Sequence, residues 1–347
     1  MGHRPHPDFI AQVYSPLEFQ AELTTAVRSF EELLGPNGQW VYQGEHSGVQ
    51  MYVGVPPILP GRDPVPGPSV LPLYRSEIVI PDCRPIEALA CVHQTAYRCL
   101  FQPRIRTAYY LRRFSMFHSQ FYAVLAFGSG FESRDFVGVQ AARFFDHDGH
   151  EVGHPSQDSP RVDLVHTSVE DPRVPPQEGK TRARHWHSGF RFSATNGGTL
   201  VQYISQLDYG APIPAYIARV MYLEVPLTVS RLKEAHRLLG FPPYVLDHSH
   251  TVAMQVQSFD VDTRSFSISA LVMRPGFFTI VLDSRRMYKQ GVYCSRRSGP
   301  AVATITLDGN DGNIQVRTTE PTVGHAFALT FKACDETARD GAGAVDW

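Results

Sequence analysis

The segment Phe131-Glu-Ser-Arg134-Asp135-Phe136-Val-Gly-Val-Gln140 leads into the second of two stretches with strand-like alternation. The first stretch runs from Phe114 to Phe127 and the second from Arg134 to Phe145, with a turn rich in glycine and serine between them. This pattern predicts a β-hairpin. Side chains alternate along a strand, so Phe136 and Gln140 share one face and Asp135 and Val137 share the other. We expect one of these faces to be buried.

Three other stretches stand in a fixed order around this hairpin. Trp40-Val-Tyr-Gln-Gly-Glu45-His-Ser-Gly48-Val49 precedes it, and Thr181-Arg-Ala-Arg-His185-Trp-His-Ser-Gly189-Phe190 and Asp208-Tyr-Gly-Ala-Pro-Ile213-Pro214 follow it. Over about residues 15–240, these motifs resemble those of the START family of lipid-binding domains. The resemblance implies an α+β helix-grip fold, in which a curved antiparallel sheet surrounds a long C-terminal helix and one lipid lies between them.

Capping and periodicity predict three helical regions. Ser15, Pro16 and Glu18 form a helix-start signature, and the helix is expected to end near Leu34. A second helical region runs from Pro85 through Cys99, and a last helix from about Pro214 to Leu239. The proline-rich segment 56–72 predicts a surface excursion, because proline cannot donate to a sheet ladder.

The pattern changes after His250. Short alternating runs separated by Gly, Asp, Asn or Pro predict a small all-β sandwich, with Asp308-Gly-Asn-Asp-Gly312 as one hairpin turn. The sequence therefore divides into a START-like domain at 1–245, a β-sandwich-like domain at 246–335 and a loose tail at 336–347.

Composition excludes several classes of protein. A net charge of -2 argues against a nucleic-acid partner. No apolar run approaches the roughly 18 residues that span a bilayer, so any contact with a membrane surface is expected to be transient and peripheral. The five cysteines are odd in number and form no Cys-x-x-Cys pair, and no signal peptide opens the chain, which predicts reduced thiols in the cytoplasm.

The resemblance implies where the lipid ligand lies. In sterol-binding members, a basic residue six positions after the motif Arg faces the cavity and pairs with an acid; here that position is Gln140. The missing charges predict a neutral polar spot, which suits a sterol first. A phosphatidylcholine-like lipid comes second, because an aromatic cage for its ammonium is expected from Tyr109, Tyr110, Tyr122, Trp186 and Tyr203.

Ten ligand-binding positions are therefore predicted. The sheet contributes His118, Phe121, Arg134, Phe136, Gln140, His185 and Tyr203, and the lid helix contributes Ile213, Ile217 and Val220. Alternatives stay open at several of them. Gln140 and His185 also suit a satisfied core hydrogen bond, the lid face also suits ordinary core, and Arg134 also suits a structural ion pair with Asp135.

No enzyme signature is present: the sequence has no nucleophile elbow, phosphate loop or dinucleotide fingerprint, so neither catalysis nor a cofactor is expected. A helix-grip enzyme using His185 and Tyr203, and a lipid-gated scaffold that binds a protein partner through residues 251–335, are the alternatives. Asp146-His-Asp-Gly-His150-Glu151 with His154 suggests a metal site but suits a tight turn better. His185 and His187 on one strand face, with His248 and His250 in the linker, make a second weak metal case. No metal is expected.

Overall fold

The computed structural model describes residues 14–15, 17–56, 67–128, 131–299, 304–308, 312–334 and 344–345. The helices in these residues are α1 (Gln20–Leu34), α2 (Pro85–His93), α3 (Thr95–Phe101), α4 (Ala215–Glu224) and α5 (Thr228–Leu239). The strands before α4 are β1 (Trp40–His46), β2 (Val49–Gly54), β3 (Leu73–Pro81), β4 (Ile105–Arg113), β5 (His118–Leu125), β6 (Ser133–Phe145), β7 (Glu151–Val152), β8 (Arg161–Ser168), β9 (Lys180–Arg182), β10 (Arg184–Thr195) and β11 (Gly198–Asp208). The strands after α5 are β12 (Tyr244–Leu246), β13 (Val252–Asp260), β14 (Ser265–Val272), β15 (Gly276–Val281), β16 (Val292–Ser298), β17 (Thr304–Asp308), β18 (Asn313–Thr318), β19 (Ala326–Ala333) and β20 (Ala344–Val345).

One large sheet organises the part of the chain before α4. Its strand order is β1-β2-β3-β11-β10-β8-β6-β5-β4, with antiparallel neighbours throughout, while β7 and β9 attach to β6. The predicted central hairpin is confirmed: β5 pairs with β6, and Leu125 lies opposite Arg134. The β1–β2 hairpin that contains Trp40 is confirmed as well.

Strand β6 is buried on both faces, whereas the sequence pattern predicts burial of one face. Phe136 belongs to the main hydrophobic core. Val137 and Val139 point the other way into a second cluster, against which Phe19 and Leu23 pack from the start of α1. The helix therefore covers the face of the sheet that lies away from the main core.

Helix α1 begins later than predicted. It starts at Gln20, and neither Ser15 nor any other side chain caps it; Pro16 lies outside the described residues. The predicted capping carboxylate of Glu18 instead pairs with Arg112 at 3.1 Å and with Arg173. The end at Leu34 is confirmed, and there the Trp40 indole donates a hydrogen bond of 2.8 Å to the Leu33 carbonyl.

The predicted last helix is two helices. Helix α4 ends at Glu224 and α5 begins at Thr228. Pro226 lies between them, and because it has no N–H it interrupts the hydrogen-bond ladder at that point. The predicted second helical region divides in the same way, into α2 and α3, at Gln94.

The strands after α5 form two antiparallel sheets, in the orders β12-β15-β18-β17 and β13-β14-β19-β16-β20. Phe278 and Phe327 stack between the two sheets with ring centroids 6.0 Å apart. The hairpin predicted at Asp308 agrees with the opposition of Asp308 and Asn313, although residues 309–311 lie outside the described part. Within the predicted loose tail, Ala344 and Val345 pair with β16, so the tail prediction is wrong at these two residues.

A polar seam joins the two sets of strands. The Tyr97 hydroxyl donates to the Gly240 carbonyl at 2.5 Å, and the Phe241 amide donates to Asp283 at 3.1 Å. Arg285 lies 3.2 Å from Glu87 at the start of α2. The predicted boundary at residue 245 falls inside β12, which pairs with β15, so the sandwich begins at Tyr244. The division into separate domains stays a prediction.

No helix in the described part of the chain is long and apolar enough to cross a bilayer.

Replacement of Gly189 by alanine tests how α1 meets the sheet. A Cβ at this position would lie 2.7 Å from the Phe30 ring and 2.8 Å from the Leu164 carbonyl. We expect Gly189→Ala to lower the free energy of unfolding by about 1–3 kcal/mol in urea denaturation, as overpacking in a core does. Gly153→Ala is the control, since a Cβ there meets open space. Equal stability of the two variants would contradict the packing of α1.

Candidate functional site

A cavity of about 100 Å³ lies between the large sheet and the helices α2 to α5. Most of its lining is apolar, with Phe121, Ala123, Phe136 and Leu207 from the sheet and Met221 from α4. Polar side chains enter it at the inner end of α3 and from β6, β8 and β10. A mainly apolar lining with a few polar groups is typical of a site for a small molecule.

Five of the ten predicted ligand-binding residues line this cavity: Phe121, Phe136, Gln140, His185 and Tyr203. Contact between these residues and a ligand stays a prediction. Gln140 also forms a hydrogen bond inside the protein, as the alternative prediction for this residue expects. Its amide donates to the Tyr110 hydroxyl at 3.1 Å, and that hydroxyl donates to the His93 carbonyl.

Two predicted sheet residues lie away from the cavity. Phe121 and Ala123 on β5 face the cavity. Side chains alternate along a strand, so His118 points to the opposite face of the sheet. There the centroid of its ring lies 4.9 Å from that of Phe114. Arg134 is buried, but its guanidinium donates to the Tyr209 carbonyl at 2.8 Å and to the Glu132 carbonyl at 2.7 Å. Neither residue lines the cavity, and their contact with a ligand stays a prediction.

The predicted ion pair between Arg134 and Asp135 is also wrong. The two side chains point to opposite faces of β6, and Asp135 pairs with Arg182 at 2.8 Å. The Tyr122 hydroxyl donates to the same carboxylate at 3.3 Å.

The predicted lid face lies only in part on the inner side of α4. Ile217 is buried in the core and lies about one helical turn before Met221, which lines the cavity. Val220 is exposed and Ile213, which precedes α4, is half-buried; none of the three predicted residues lines the cavity itself. Contact between this face and a ligand stays a prediction.

A β-bulge separates two histidines that the strand period places together. His185 pairs with Leu207 and His187 pairs with Gln206, so one extra residue lies in β10. As a result His185 faces the cavity, while the His187 ring accepts or donates a 2.7 Å hydrogen bond with Ser29 on α1. The weak metal case for these two residues therefore fails.

The predicted aromatic cage does not assemble. Tyr110 and Tyr203 line the cavity, but Tyr122 belongs to the cluster on the opposite face of the sheet. Tyr109 lies beside Tyr122, with ring centroids 5.4 Å apart, and is 45% exposed.

Three histidines border the cavity: His93 and His166 are buried and His185 is half-buried. Loss of solvation, together with the charges of Arg113 and Arg98, lowers the pKa of His93 to about 3. Loss of solvation and the charge of Arg98 lower the pKa of His185 to about 3 as well. The pKa of His166 is held well below its usual value by burial, by His185 and by Arg98. All three rings are therefore neutral at physiological pH, and each has one ring nitrogen without a hydrogen-bond partner.

Arg98 is the cavity residue that sequence reasoning missed. Its side chain reaches the cavity from α3, and its Nε donates a 2.5 Å hydrogen bond to Gln102. Burial lowers the pKa of this guanidinium from its usual value. In the sequence, Arg98 opens an Arg-x-x-aromatic pattern that ends at Phe101 and resembles one of the START family. The break between α2 and α3 at Gln94 decides which face of α3 meets the sheet. The sequence predicts one continuous helical region here and therefore does not show which way Arg98 points.

Two other arginines border the cavity with partners. Arg104 pairs with Glu224 through two nitrogens, at 2.9 and 2.6 Å. Arg231 donates to the carbonyls of Phe101 and Glu224 at 2.8 and 2.7 Å. These contacts connect the end of α4 to β4 and to α5.

Metal-ligand types meet in two places among the described residues. Asp146, Asp148 and His150 form the tight turn that the sequence predicts, since the Asp146 carboxylate accepts the amides of Asp148 and His150 at 3.0 and 2.8 Å. Cys83, Glu87 and His236 are buried within 4.8 Å of one another, a grouping the sequence did not suggest. Glu87 already accepts the Arg84 amide at 2.9 Å and pairs with Arg285, so it holds α2 against the sandwich.

Comparison with known proteins identifies the region that contains the cavity. Residues 122–238 match the family model of the START domain. This match confirms the resemblance that the motifs indicate, over part of the predicted range. No curated protein sequence matches the chain.

Solved structures show the same fold. The human StAR-related lipid transfer protein 5 has a TM-score of 0.50 and 17% identity, over 63% of this chain and 98% of that chain. Human STARD10 has a TM-score of 0.48 and 14% identity, over 65% of this chain and 82% of that chain. At such identity the likeness to the first of these structures shows the START-like α+β fold alone.

The neutral histidines predict a loss of stability in acid. In the unfolded chain a histidine binds a proton below about pH 6.5, but His93, His166 and His185 stay neutral in the fold until far lower pH. The unfolded state therefore binds more protons, and the free energy of unfolding should fall as pH drops from about 7 to about 4. Each histidine contributes about 1.4 kcal/mol per pH unit.

Urea denaturation at several pH values measures this slope. His185→Gln should reduce the slope by the share of one proton, because glutamine does not titrate. The exposed His46→Gln is the control and should leave the slope unchanged. A parental slope in His185→Gln would contradict the neutral state of His185.

Proposed function

We propose that the protein binds a single lipid in the cavity and transfers or senses it. The observation that carries this proposal is a mainly apolar cavity between the large sheet and the helices, lined in large part by residues of the region that matches the START domain. Burial of a lipid tail there is favourable by about 25 cal/mol per Å² of apolar surface removed from water. The human StAR-related lipid transfer protein 5, which has a similar structure, is named as a lipid transfer protein, and this agrees with the proposal.

Lipid entry requires helix α4 to move. The cavity of about 100 Å³ is smaller than the roughly 300 Å³ at which ligand pockets begin. Helix α4 ends before Pro226, while α5 is held by Arg231 and by the seam at Gly240 and Phe241. Rotation of α4 alone about residues 225–227 would enlarge the cavity and leave α5 in place.

The polar part of the cavity differs from the neutral lining that was expected to suit a sterol. Gln140 and Tyr110 supply the expected neutral spot, but Arg98 adds a charge to the same cavity. A sterol hydroxyl would leave this guanidinium poorly paired, and the separated tyrosines offer no cage for a quaternary ammonium. We therefore place a lipid with strong oxygen acceptors ahead of a sterol.

We propose that the protein is not an enzyme. Ser188 and His166 form a buried hydrogen bond of 2.6 Å, the pairing that a hydrolase would need. The other ring nitrogen of His166 has no partner to orient it, and its low pKa makes it a weak base. Ser188 does not line the cavity. Recovery of the bound lipid without chemical change would support this reading.

We propose that the outer face of α4 contacts a membrane surface transiently. Tyr216, Val220 and Leu223 are exposed at helical spacing on one side of α4. Exposed apolar residues on the helix that must move would lower the free energy of an open form at the bilayer. A cytoplasmic location, consistent with reduced thiols at the buried Cys83 and Cys91, belongs to the same proposal.

Filling the cavity tests lipid binding directly. Ala123 lines the cavity from β5, and Ala123→Phe should occupy the space that a lipid tail needs. We expect uptake of labelled lipid from vesicles, followed by native mass spectrometry, to fall at least about tenfold. Val41→Phe, at an exposed position on β1, is the control. Undiminished uptake by Ala123→Phe would place the ligand elsewhere or refute binding.

A charge on the outer face of α4 tests membrane contact. Val220→Asp should reduce sedimentation with lipid vesicles and slow transfer, because burying a carboxylate in the bilayer interface is costly. Leu238→Asp is the control, since Leu238 is also exposed but lies on α5. If both variants lost vesicle binding to the same degree, α4 would not be the contact surface.

A further inference from the structure

Three buried side chains of metal-ligand type meet beside the sandwich. Cys83 lies just before α2, Glu87 lies in the first turn of α2, and His236 lies in the last turn of α5. Their exposed fractions are 5%, 2% and 1%. A sulfur, a carboxylate oxygen and a ring nitrogen from these residues all lie within 4.8 Å of one another. Thiolate, carboxylate and imidazole are the ligand types that bind Zn²⁺ in proteins.

The ring of His236 gives a second reason to expect a ligand here. Its Nε2 is buried and has no hydrogen-bond partner among the described residues. A buried polar atom without a hydrogen bond costs free energy, so such atoms are uncommon in folded proteins. Cys83 and Glu87 do not supply the missing partner, although each has a ligand atom near this ring. A metal ion bound at Nε2 would give the ring the partner it lacks.

The contacts of Glu87 and Cys83 within the protein leave room for a metal ion. Arg285 lies 3.2 Å from the Glu87 carboxylate, but its side chain is 50% exposed, so water can replace this contact. The Arg84 amide donates to one carboxylate oxygen of Glu87, at 2.9 Å. The Cys83 sulfur makes a weak hydrogen bond of 3.5 Å to the Arg84 carbonyl, which a thiolate would give up. Together the thiolate and the carboxylate balance the two charges of Zn²⁺.

We propose that Cys83, Glu87 and His236 bind one Zn²⁺ ion. Ligand atoms around a tetrahedral zinc ion lie roughly 3.3–3.8 Å apart, so these three need to close by at most about 1.5 Å. The sulfur and the nitrogen favour zinc over calcium and magnesium, which prefer oxygen ligands. Three protein ligands leave the fourth position to water. This inference does not rest on lipid binding.

Zinc at this site would join two helices that border the cavity. Helix α2 contributes His93 to the lining and α5 contributes Arg231. The ion would tie the start of α2 to the end of α5, next to the hydrogen bond between Phe241 and Asp283. We therefore expect zinc to stabilise the fold, because a ligand that binds only the folded state raises its stability.

Titration with Co²⁺ tests the site through its sulfur ligand. A thiolate bound to Co²⁺ gives a charge-transfer absorption band in the near ultraviolet, which imidazole and carboxylate ligands do not give. We expect this band to saturate at about one Co²⁺ per full-length chain, after prior removal of metal with a chelator, and to disappear when Zn²⁺ displaces the cobalt. Zn²⁺ should also raise the temperature of thermal unfolding.

Variants assign the ligands. Cys83→Ser should remove the band, and His236→Gln should weaken binding of Co²⁺ at least about tenfold. Cys99→Ser, at a half-buried thiol of α3, is the matched control and should keep the band. His250→Gln should keep it too, although His250 and His154 lie with ring centroids 4.9 Å apart and form a separate group of imidazoles. Thermal unfolding of each variant identifies any that fail to fold.

Three results would overturn the proposal. The first is absence of the band from the parent protein at saturating Co²⁺, which does not depend on any variant. The second is a band that survives in a folded Cys83→Ser protein. The third is binding that is lost in His250→Gln and kept in Cys83→Ser, which would assign the metal to the histidines outside the site. None of these results would affect the proposed binding of lipid.

Discussion

Burial of β6 on both faces is the constraint from which the architecture follows. A strand covered on both sides needs one layer above the sheet and another below it. Helix α1 supplies the outer layer over Val137 and Val139, and α2 to α5 supply the inner layer above Phe136. Gly189 allows α1 to pack closely on the sheet, because a Cβ at this position would overlap the Phe30 ring. The inner layer is less completely filled, and the cavity is the space that remains.

Two helices of the inner layer, α4 and α5, have different polar contacts. Arg231 on α5 donates to the Phe101 carbonyl at 2.8 Å, and the Phe241 amide just after α5 donates to Asp283 of the sandwich at 3.1 Å. Helix α4 has its own contacts with the sheet, among them the hydrogen bond of Tyr222 with Gln43 on β1 at 3.3 Å. The bond between Phe241 and Asp283 therefore ties the end of α5 to the strands that follow it.

The electrostatics of the cavity are asymmetric. Burial lowers the pKa of its histidines and raises the pKa of Tyr203, so these groups are neutral. Arg104 pairs with the carboxylate of Glu224, whereas Arg98 donates to the neutral amide of Gln102. Low polarity around a charge strengthens its attraction for an opposite charge.

Alternating residues and turn residues determined where the strands lie along the chain. They could do so because a period-2 pattern and a turn rich in Gly, Asp or Asn each act over a few residues. The β5–β6 hairpin and the alternating runs of the sandwich followed from these patterns. The cavity side of Phe121, Phe136, His185 and Tyr203 followed from the family resemblance. Only the tertiary structure decided the rest. The bulge at Trp186, the breaks at Gln94 and Pro226, the partner of Asp135 and the position of Arg98 depend on contacts between segments far apart in the chain. No local pattern encodes such contacts, since a shift of one residue turns a side chain from one face of an element to the other.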